Sequence, residues 1–482
     1  MRKWGIHIVL LCLTLSGLAQ DTVDFNLYGS FTSEFGVDMH IMQDSTILIV
    51  GNSGDNSQND DAGVVVINVN DSGKVNWTKT ITSRASDNVT ASALENDSTL
   101  WVSGISNAYH PNYRGFIVRA NLNDSTDKKE WFFDLDGDWS VSDQIAIHQD
   151  YAYFTVRSLT DLAKNLRIYR MSTVDFDMTF TELDSTPSYE VHQIAFDTNN
   201  DLTLTGSILG DSLDALILML DGTSLGANNR IVYSTSGDDV FYDTEVFTDT
   251  SIISIGYTTG HFGNDEDILV VVHALNGNIV KEQIRGHSST VENKNDRGYS
   301  VFLRGDTVHL SGFTETYGEG KDIFLSHANT GLFDYTGSTT AGESGEDVCL
   351  AHKPWKNGVI GVGYSSSESQ GLEDILFLNR WEFQASQTTI NFNPVLVETV
   401  PWIIFSTNDL RQPDELSVIR TLEYTEVQFK DFRPFSYSIY DLTGRLIKVG
   451  TNTVLNIVPD APYFISIGEG EETFWIKTLG IE

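Results

Sequence analysis

Short apolar runs recur along this chain, and one place in each run repeats at a nearly constant interval. In six runs, such as ILIVG, IISIG and VIGVG, that place holds a glycine. These marker glycines are Gly51, Gly104, Gly206, Gly256, Gly312 and Gly363. In the seventh run, YFTVR, the same place holds Arg157. Successive places lie 49 to 56 residues apart. A period of this length, carried by strands and not by helices, predicts a radial array of small sheets.

A second marker repeats with the same period and supports the array independently. It is an acidic residue followed by two apolar ones at the opening of a further strand, and it begins at Asp214, Asp267, Asp322 and Asp374. Around the two markers the sequence predicts four strands per unit. The inner strands are apolar on both faces because they pack between neighbouring units. We attribute the marker glycine to a strand that leaves a crowded centre, where a Cβ finds no room.

These patterns predict an all-β fold, a seven-bladed β-propeller over residues 20–392. The third unit, about residues 139–184, departs from the repeat because it carries Arg157 and lacks the acidic-apolar-apolar opening. Residues 24–29 resemble an outer strand but precede the first full unit. We therefore expect them to complete the last blade and to close the ring, which removes its open edges.

The order of parts within a unit resembles that of the bacterial propeller repeats often called SBBP. The shared parts are the acidic-apolar-apolar opening, an Asn/Asp-Gly turn, an outer strand, an acidic turn and a strand of the form Val-x-Val-x-Gly. The resemblance covers about three quarters of the chain. It implies a fold and not an activity, because one fold carries many functions.

The repeat stops near Phe392, and a different composition follows. Residues 393–414 contain three prolines and are predicted to be a linker. Residues 415–482 show four clear alternating strand patterns, of which 435–440 and 473–477 are two. We predict a small C-terminal β-sandwich.

One hairpin of that module, Ser438–Ile447, carries a specific motif. Together with a later strand and the final Lys-bearing strand, it resembles the C-terminal sorting domain of the type IX secretion (Por) family. The residues that carry the resemblance are Tyr440, Asp441, Leu442, Gly444, Arg445, Tyr463 and Lys477. It implies delivery by the type IX machinery across the outer membrane, followed by release or attachment at the cell surface. An accessory sandwich without a sorting role is the alternative.

The N-terminus predicts a signal peptide over residues 1–19. A basic start is followed by an apolar stretch that is too short for a permanent membrane helix, and small residues precede a cleavage site between Ala19 and Gln20. Cleavage changes the formal net charge from −37 to −39, because Arg2 and Lys3 leave. Such a surface repels nucleic acid and anionic lipid heads, so nucleic-acid binding is not expected. The sequence holds no other transmembrane candidate, so membrane insertion is not expected after signal removal.

The sequence holds no recognisable catalytic or metal motif, and we predict neither a metal nor another cofactor. Cys349, the one cysteine left after cleavage, lies in an apolar run and is predicted to be a core residue. His40, His148 and His192 are predicted to be packed or turn residues. The acidic loops 54–61 and 134–138 keep calcium open as an alternative, although 134–138 lacks the remaining ligands of a calcium loop.

The patterns favour a non-catalytic, secreted or cell-surface binding protein with a glycan or protein ligand. The loops after the marker glycines are expected to form the ligand face. Its candidates are Tyr109, His110, Tyr113, His261 and Phe262. Two alternatives stay open: an extracellular enzyme that degrades polysaccharide or peptide at the propeller mouth, and a structural part of a surface assembly. Clustered carboxylates or a His–Tyr pair at the mouth would favour the enzyme.

Overall fold

A computed structural model describes most of the repeat region and only strand backbones beyond it. The described ranges are 22–29, 33–54, 63–82, 87–107, 113–124, 127–133, 135, 139–159, 166–183, 188–197, 200–248, 250–261, 265–286, 294–316, 320–330, 335–342, 345–356, 358–367 and 373–380. After residue 380 the described residues are those of the strands given below.

Strand β1 (Thr22–Gly29) is followed by six sheets that each use consecutive strands. Blade one is β2 (Ser33–Ile41), β3 (Ile47–Gly54), β4 (Gly63–Val69) and β5 (Val75–Thr82). Blade two is β6 (Asn88–Asn96), β7 (Thr99–Ser106), β8 (Arg114–Asn121) and β9 (Lys128–Phe133). Blade three is β10 (Ser140–Val141), β11 (Ile145–His148), β12 (Tyr151–Ser158), β13 (Arg167–Ser172) and β14 (Met178–Glu182).

The next three sheets repeat the four-stranded pattern. Blade four is β15 (Ser188–Phe196), β16 (Asp201–Leu209), β17 (Leu213–Asp221) and β18 (Ala227–Tyr233). Blade five is β19 (Asp239–Thr248), β20 (Ser251–Thr258), β21 (Asp267–Ala274) and β22 (Ile279–Arg285). Blade six is β23 (Asp296–Arg304), β24 (Thr307–Thr314), β25 (Asp322–Asn329) and β26 (Tyr335–Ala341).

The seventh blade joins the two ends of the repeat region. It contains β27 (Asp347–Trp355), β28 (Gly358–Ser365), β29 (Asp374–Arg380), β30 (Gln387–Ile390) and β31 (Val395–Leu396). Strand β1 pairs antiparallel with β29 and parallel with β30 and β31. The predicted closure is confirmed, because the first strand of the chain completes the last blade. Strand β31 lies inside the predicted linker and pairs with β1.

The first strands of the seven blades contact one another in ring order, from β2 through β6, β11, β15, β19, β23 and β27 back to β2. Their unpaired edges therefore surround the central channel of a seven-bladed β-propeller. The blades are joined by apolar contacts: Val50 and Val66 of blade one pack with Val102 and Phe116 of blade two. Inner strands are buried on both faces, as predicted, and all eight residues of β20 are buried.

The marker glycines are explained by a β-bulge in the neighbouring first strand. In blade five, Gly256 pairs with Phe241 immediately before the ladder skips Tyr242. A Cβ on Gly256 would stand 1.7 Å from the carbonyl oxygen of Val240. The same arrangement holds at the other five marker glycines. Crowding near the centre was predicted; the crowding group is this carbonyl, turned by the bulge.

The third blade departs from the repeat, as the sequence predicts. Its first strand is divided into β10 and β11, and residues 142–144 leave the ladder between them. Within this gap, the Ser142 hydroxyl donates to the carbonyl of Thr155 and the backbone nitrogen of Thr155 donates to the carbonyl of Gln144. The Ser140 hydroxyl donates to the carbonyl of Phe133 in blade two.

Two further sheets follow the propeller. Their strands are β32 (Leu416–Arg420), β33 (Thr425–Phe429), β34 (Phe435–Tyr440), β35 (Leu446–Asn452), β36 (Val454–Ile457), β37 (Phe464–Glu469) and β38 (Glu472–Lys477). One sheet has the order β32-β33-β36 and the other the order β35-β34-β37-β38. Strands β34 and β35 pair antiparallel across the predicted hairpin.

Candidate functional site

The bulged residues of the first strands line one end of the central channel. In six blades they are Val37, Thr90, His192, Tyr242, Tyr299 and Leu350. Three consecutive blades, four to six, place aromatic rings there. The ring of Tyr242 lies 4.7 Å, centroid to centroid, from His192 on one side and 4.7 Å from Tyr299 on the other. We call this row of three rings the aromatic row.

The aromatic row lies near the propeller face that carries the loops after the marker glycines. Strand β19 begins at this face, where its first residue, Asp239, pairs with Thr258, the last residue of β20. The bulge at Tyr242 comes three residues later. The loop that follows β20 contributes Glu266, which stands immediately before β21. The loops expected to carry ligand contacts therefore border this end of the channel, which we call the mouth.

Arg297 of blade six fixes the aromatic row from one side. Its guanidinium donates to both carboxylate oxygens of Glu266 and to the hydroxyl of Tyr242 at 3.3 Å. The same guanidinium stands over the ring of Tyr257, 4.8 Å from its centroid. A planar guanidinium with two carboxylate partners has few orientations left. Arg297 thus holds the tyrosines in place and is itself only 30% exposed.

A second guanidinium–carboxylate group borders the row at blades three and four. Arg157 donates to Asp143 at 2.7 Å and to Glu190 at 2.8 Å. The Glu190 side chain is 42% exposed, whereas that of Asp143 is 9% exposed. Glu190 lies two residues before His192 and 4.0 Å from its Nε2. The mouth thus combines ring faces with fixed carboxylates and guanidinium groups.

The aromatic row and the neighbouring Tyr257 stay neutral at neutral pH. Burial lowers the pKa of His192 to about 4, against the opposing charge of Glu190. Burial raises the pKa of Tyr257 to about 12 and raises the pKa of Tyr242 and Tyr299 as well. A general acid or base works best with a pKa near the working pH. This protonation pattern suits a recognition surface better than proton transfer.

Deeper in the channel, polar groups join blades seven, one and two. Ser92 donates to Asp38 at 2.9 Å, and its hydroxyl lies 2.7 Å from Nε2 of His40. Lys353 reaches Asp38 from blade seven at 3.4 Å. These contacts link three blades at their innermost strands. Asp38, His40, Ser92 and Lys353 bind one another, so we interpret this group as a connection between blades.

Strand β19 carries two acidic residues on the channel side of blade five. Asp243 accepts a hydrogen bond of 2.7 Å from the backbone nitrogen of Val301 in blade six. Burial raises the pKa of Asp243 to about 6, and burial together with the charge of Asp243 raises the pKa of Glu245 to about 7. Burial also raises the pKa of Asp143 to about 6, against the opposing charge of Arg157, so all three carboxyls have pKa values close to neutrality.

The predicted ligand-face residues are only partly placed. Tyr109, His110 and Phe262 lie outside the described residues. Tyr113 packs edge to face on Trp139, with 5.2 Å between ring centroids, at the junction of blades two and three. His261 is exposed after β20 in blade five. The structure therefore does not bring Tyr113 and His261 together.

The three histidines predicted to be packed or turn residues have different environments. His148 stacks on Phe196 and lies 2.9 Å from the side-chain oxygen of Asn200 in a neighbouring turn. His40 is held by Ser92, as described. His192, by contrast, borders the mouth and belongs to the aromatic row.

The aromatic row was missed from the sequence, although the repeat contains a signal for it. His192 and Tyr242 each stand 14 positions before their marker glycines, Gly206 and Gly256, and Tyr299 stands 13 before its own. The shared position indicates a common site only once the structure shows that the bulge places all three rings at the channel.

Cys349 is a buried core residue, as predicted, and burial raises the pKa of its thiol to about 12. The acidic loops 54–61 and 134–138 lie outside the described residues, apart from Gly54 at the end of β3 and Leu135. Over the ranges given above, no group of three or more His, Cys, Asp or Glu side chains is arranged to hold a metal ion.

The signal and sorting residues are mostly outside the described part of the chain. This holds for Ala19 and Gln20 and for the hairpin residues 441–445 together with Tyr463. Tyr440 and Lys477 lie on β34 and β38, and both pair with Phe464 of β37. In the described residues, no helix is long and apolar enough to cross a membrane.

Solved β-propellers are similar to this chain at low identity. A periplasmic gluconolactonase from Pseudomonas aeruginosa is 11% identical, with a TM-score of 0.45 over 71% of this chain and 94% of its own. A putative 6-phosphogluconolactonase from Bacteroides uniformis is 11% identical, with a TM-score of 0.42 over 68% and 94%. The propeller domain of the Trilobed protease from Pyrococcus furiosus is 8% identical, with a TM-score of 0.41 over 74% and 97%. No known protein family and no curated protein matches the chain.

Proposed function

We propose that the propeller is a carbohydrate-binding protein whose site is the mouth of the central channel. The observation that carries the proposal is the aromatic row beside two fixed guanidinium–carboxylate groups. Sugars present apolar C–H faces that pack on aromatic rings, and their hydroxyls exchange hydrogen bonds with charged planar groups. Pockets that combine ring surfaces with a few fixed polar groups suit such ligands.

The charge of the molecule favours neutral sugars over acidic ones. The chain carries a formal net charge of −37. Around the mouth, the guanidinium groups of Arg157 and Arg297 are already paired with Asp143, Glu190 and Glu266. These two guanidinium groups therefore offer no unpaired positive charge to an acidic sugar, and the negative field of the chain repels it.

A binding screen of the purified protein tests this proposal. The probes are the neutral hexasaccharides of the cello, laminari, manno, xylo and malto series, with oligogalacturonate as the acidic comparison. Calorimetric titration should detect binding of at least one neutral hexasaccharide and none of oligogalacturonate. If none of the neutral hexasaccharides binds, the proposal is refuted and a protein ligand is favoured.

A hydrolase acting at the same mouth is the second candidate, because His192 and Tyr242 form the His–Tyr pair that favours catalysis. Incubation of the bound sugar with the protein separates the two candidates. Recovery of intact hexasaccharide supports binding alone, and shorter products establish the enzyme. A His192→Ala variant that still produces them would exclude the pair from the reaction.

The cellular destination belongs to the same proposal. The signal peptide over residues 1–19 and the sorting motif around Tyr440 support export and delivery by the type IX machinery to the cell surface or the medium. A reporter fused to residues 393–482 and to the signal peptide, in a host that has this machinery, should leave the periplasm. A reporter retained in the periplasm would count against sorting.

A further inference from the structure

The one blade without a marker glycine supplies a charged side chain to the mouth. In the other six blades, a Cβ at the marker place would stand 1.7 to 2.3 Å from a first-strand carbonyl oxygen. Only glycine is tolerated beside such a carbonyl. Arg157 occupies the same place in blade three, as the residue before the end of β12. A local rule broken without loss of the fold often marks a functional position.

Blade three accommodates Arg157 by opening the strand beside it. Val141 pairs with Arg157, and the next ladder pair is Ile145 with Phe154. The first strand still has one residue more than β12 between these two pairs, and the carbonyl of Gln144 still accepts a backbone hydrogen bond of 3.2 Å from Thr155. The segment between the pairs contains Asp143, which accepts the hydrogen bond from Arg157 Nε. The opened strand and the arginine therefore form one arrangement.

Arg157 holds an exposed carboxylate at the edge of the aromatic row. One end of its guanidinium is anchored by buried Asp143 and the other donates to Glu190 across the junction of blades three and four. Without Arg157, the half-exposed Glu190 side chain would sample many rotamers. With it, the carboxylate stands beside His192, where one of its oxygens can accept from a ligand hydroxyl.

Joining blades does not require an arginine in this place. Blades four and five are joined at their first strands by Gln193, whose side-chain oxygen accepts from the backbone nitrogen of Thr244 at 2.8 Å. Blades five and six are joined by Asp243, which accepts from Val301. Both junctions keep their marker glycines. A role in joining blades therefore does not explain why arginine replaces the marker glycine at position 157.

We propose that Arg157 is a positioning residue of the sugar site, which orients Glu190 toward the ligand at the edge of the aromatic row. The inference rests on the proposed carbohydrate binding. It predicts that Arg157→Gly, which restores the glycine of the repeat, leaves the propeller folded and weakens sugar binding.

Arg157→Gly and Arg157→Gln are the test variants, and Arg167→Ala is the matched control. Arg167 lies one strand farther from the central channel, on β13, and pairs with Glu182 of the outermost strand β14 at 2.9 Å. The probe is the neutral hexasaccharide that the wild type binds most tightly. Both Arg157 variants should bind it at least tenfold more weakly, and Arg167→Ala should bind it within twofold of the wild type.

Two further measurements separate positioning from structural support. Arg157→Lys should recover part of the lost affinity, because one cationic donor can still reach Glu190. Glu190→Gln should weaken binding by a similar factor, and the double variant with Arg157→Gln should lose little more, because both changes remove the same oriented carboxylate. Thermal midpoints identify any variant that has lost its fold.

The outcomes distinguish this inference from the function on which it rests. If the wild type binds no probe, carbohydrate binding itself is refuted. If the wild type binds and the folded Arg157→Gln variant binds equally well, carbohydrate binding stands and the role of Arg157 is overturned. Additive losses in the double variant would also overturn it.

Discussion

At the residue scale, a single carbonyl group decides which side chain is allowed at the marker places. The bulge turns the carbonyl of the residue before the paired one toward the second strand, as Val240 turns toward Gly256. Glycine is therefore required by contact, not by a special backbone angle. Where the bulge is opened, in blade three, an arginine fits.

Adding one methyl group at a marker place should destabilise the propeller. Gly256→Ala would drive a Cβ into the Val240 carbonyl, and such overpacking costs roughly 1–3 kcal/mol. Gly210→Ala is the control, since its nearest atom is 3.7 Å away. Urea unfolding should show a lower midpoint for Gly256→Ala and almost none of that loss for Gly210→Ala. Equal stability of the two variants would contradict the account.

The raised pKa of Glu245 predicts a pH-dependent cost of folding. The folded state keeps this carboxyl protonated up to about pH 7, whereas the unfolded chain releases the proton near 4.5. Wild-type stability should therefore fall, relative to Glu245→Gln, as the pH rises through this interval.

Urea unfolding at pH 4.5 and pH 8 measures the difference between the two proteins. Glu245→Gln should match the wild type at pH 4.5 and exceed it by roughly 1–3 kcal/mol at pH 8. Glu182→Gln, a change at an exposed carboxylate, is the control and should show no such divergence. A constant difference for Glu245→Gln at both pH values would show that the carboxyl is solvated.

Much of the repeat, but little of the site, could be predicted at this scale. The marker glycines and the exception at Arg157 are visible in the sequence because their spacing is regular. His192, Tyr242 and Tyr299 share a place in the repeat. In a regular strand, however, successive side chains point to opposite faces, so the sequence alone does not indicate that these three face the channel. They face the channel because each is the extra residue of a β-bulge, and no residue type in the sequence predicts a bulge at this place.

At the element scale, β1 determines whether the ring is closed. Its residues Asp24 to Tyr28 pair with β29, Leu27 is buried in the last blade, and Tyr28 is fully buried. The Tyr28 hydroxyl donates to the carbonyl of Gly73 in blade one. One strand thus ties the last blade to the first.

Deleting residues 22–29 should open the ring and lower the thermal midpoint by on the order of 5–10 °C or more. Tyr28→Phe, which removes only one hydrogen bond at about 1 kcal/mol, is the milder comparison. Calorimetry of both variants tests the point. A deletion variant that melts like the wild type would mean that β1 contributes nothing to closure.

The closing strand was predictable because residues 24–29 repeat the pattern of an outer strand before any full unit has begun. The parallel pairing of β30 and β31 with β1 was not predictable. Those strands are two to four residues long, and so short a stretch carries no periodicity that could indicate a partner.

At the scale of the whole molecule, seven sheets form a closed ring, and consecutive blades contribute different side chains to its mouth. Blades three to six each contribute a distinct group there: Arg157, His192, Tyr242 and Arg297. Apolar clusters join neighbouring blades, rich in aromatic rings between blades two and three and mostly aliphatic between blades five and six. The proposed binding site therefore lies on one side of the channel, and the repeated strands form its scaffold.

The central claim is that the aromatic row binds sugar, and the affinity of Tyr299→Ala tests it most directly. Tyr151→Ala is the control, because Tyr151 lies at the opposite end of β12 from Arg157. Titration with the best-bound neutral hexasaccharide should show a loss of about tenfold for Tyr299→Ala, as expected for one aromatic contact. The Tyr151→Ala variant should bind like the wild type. Unchanged affinity in a folded Tyr299→Ala protein would contradict the account.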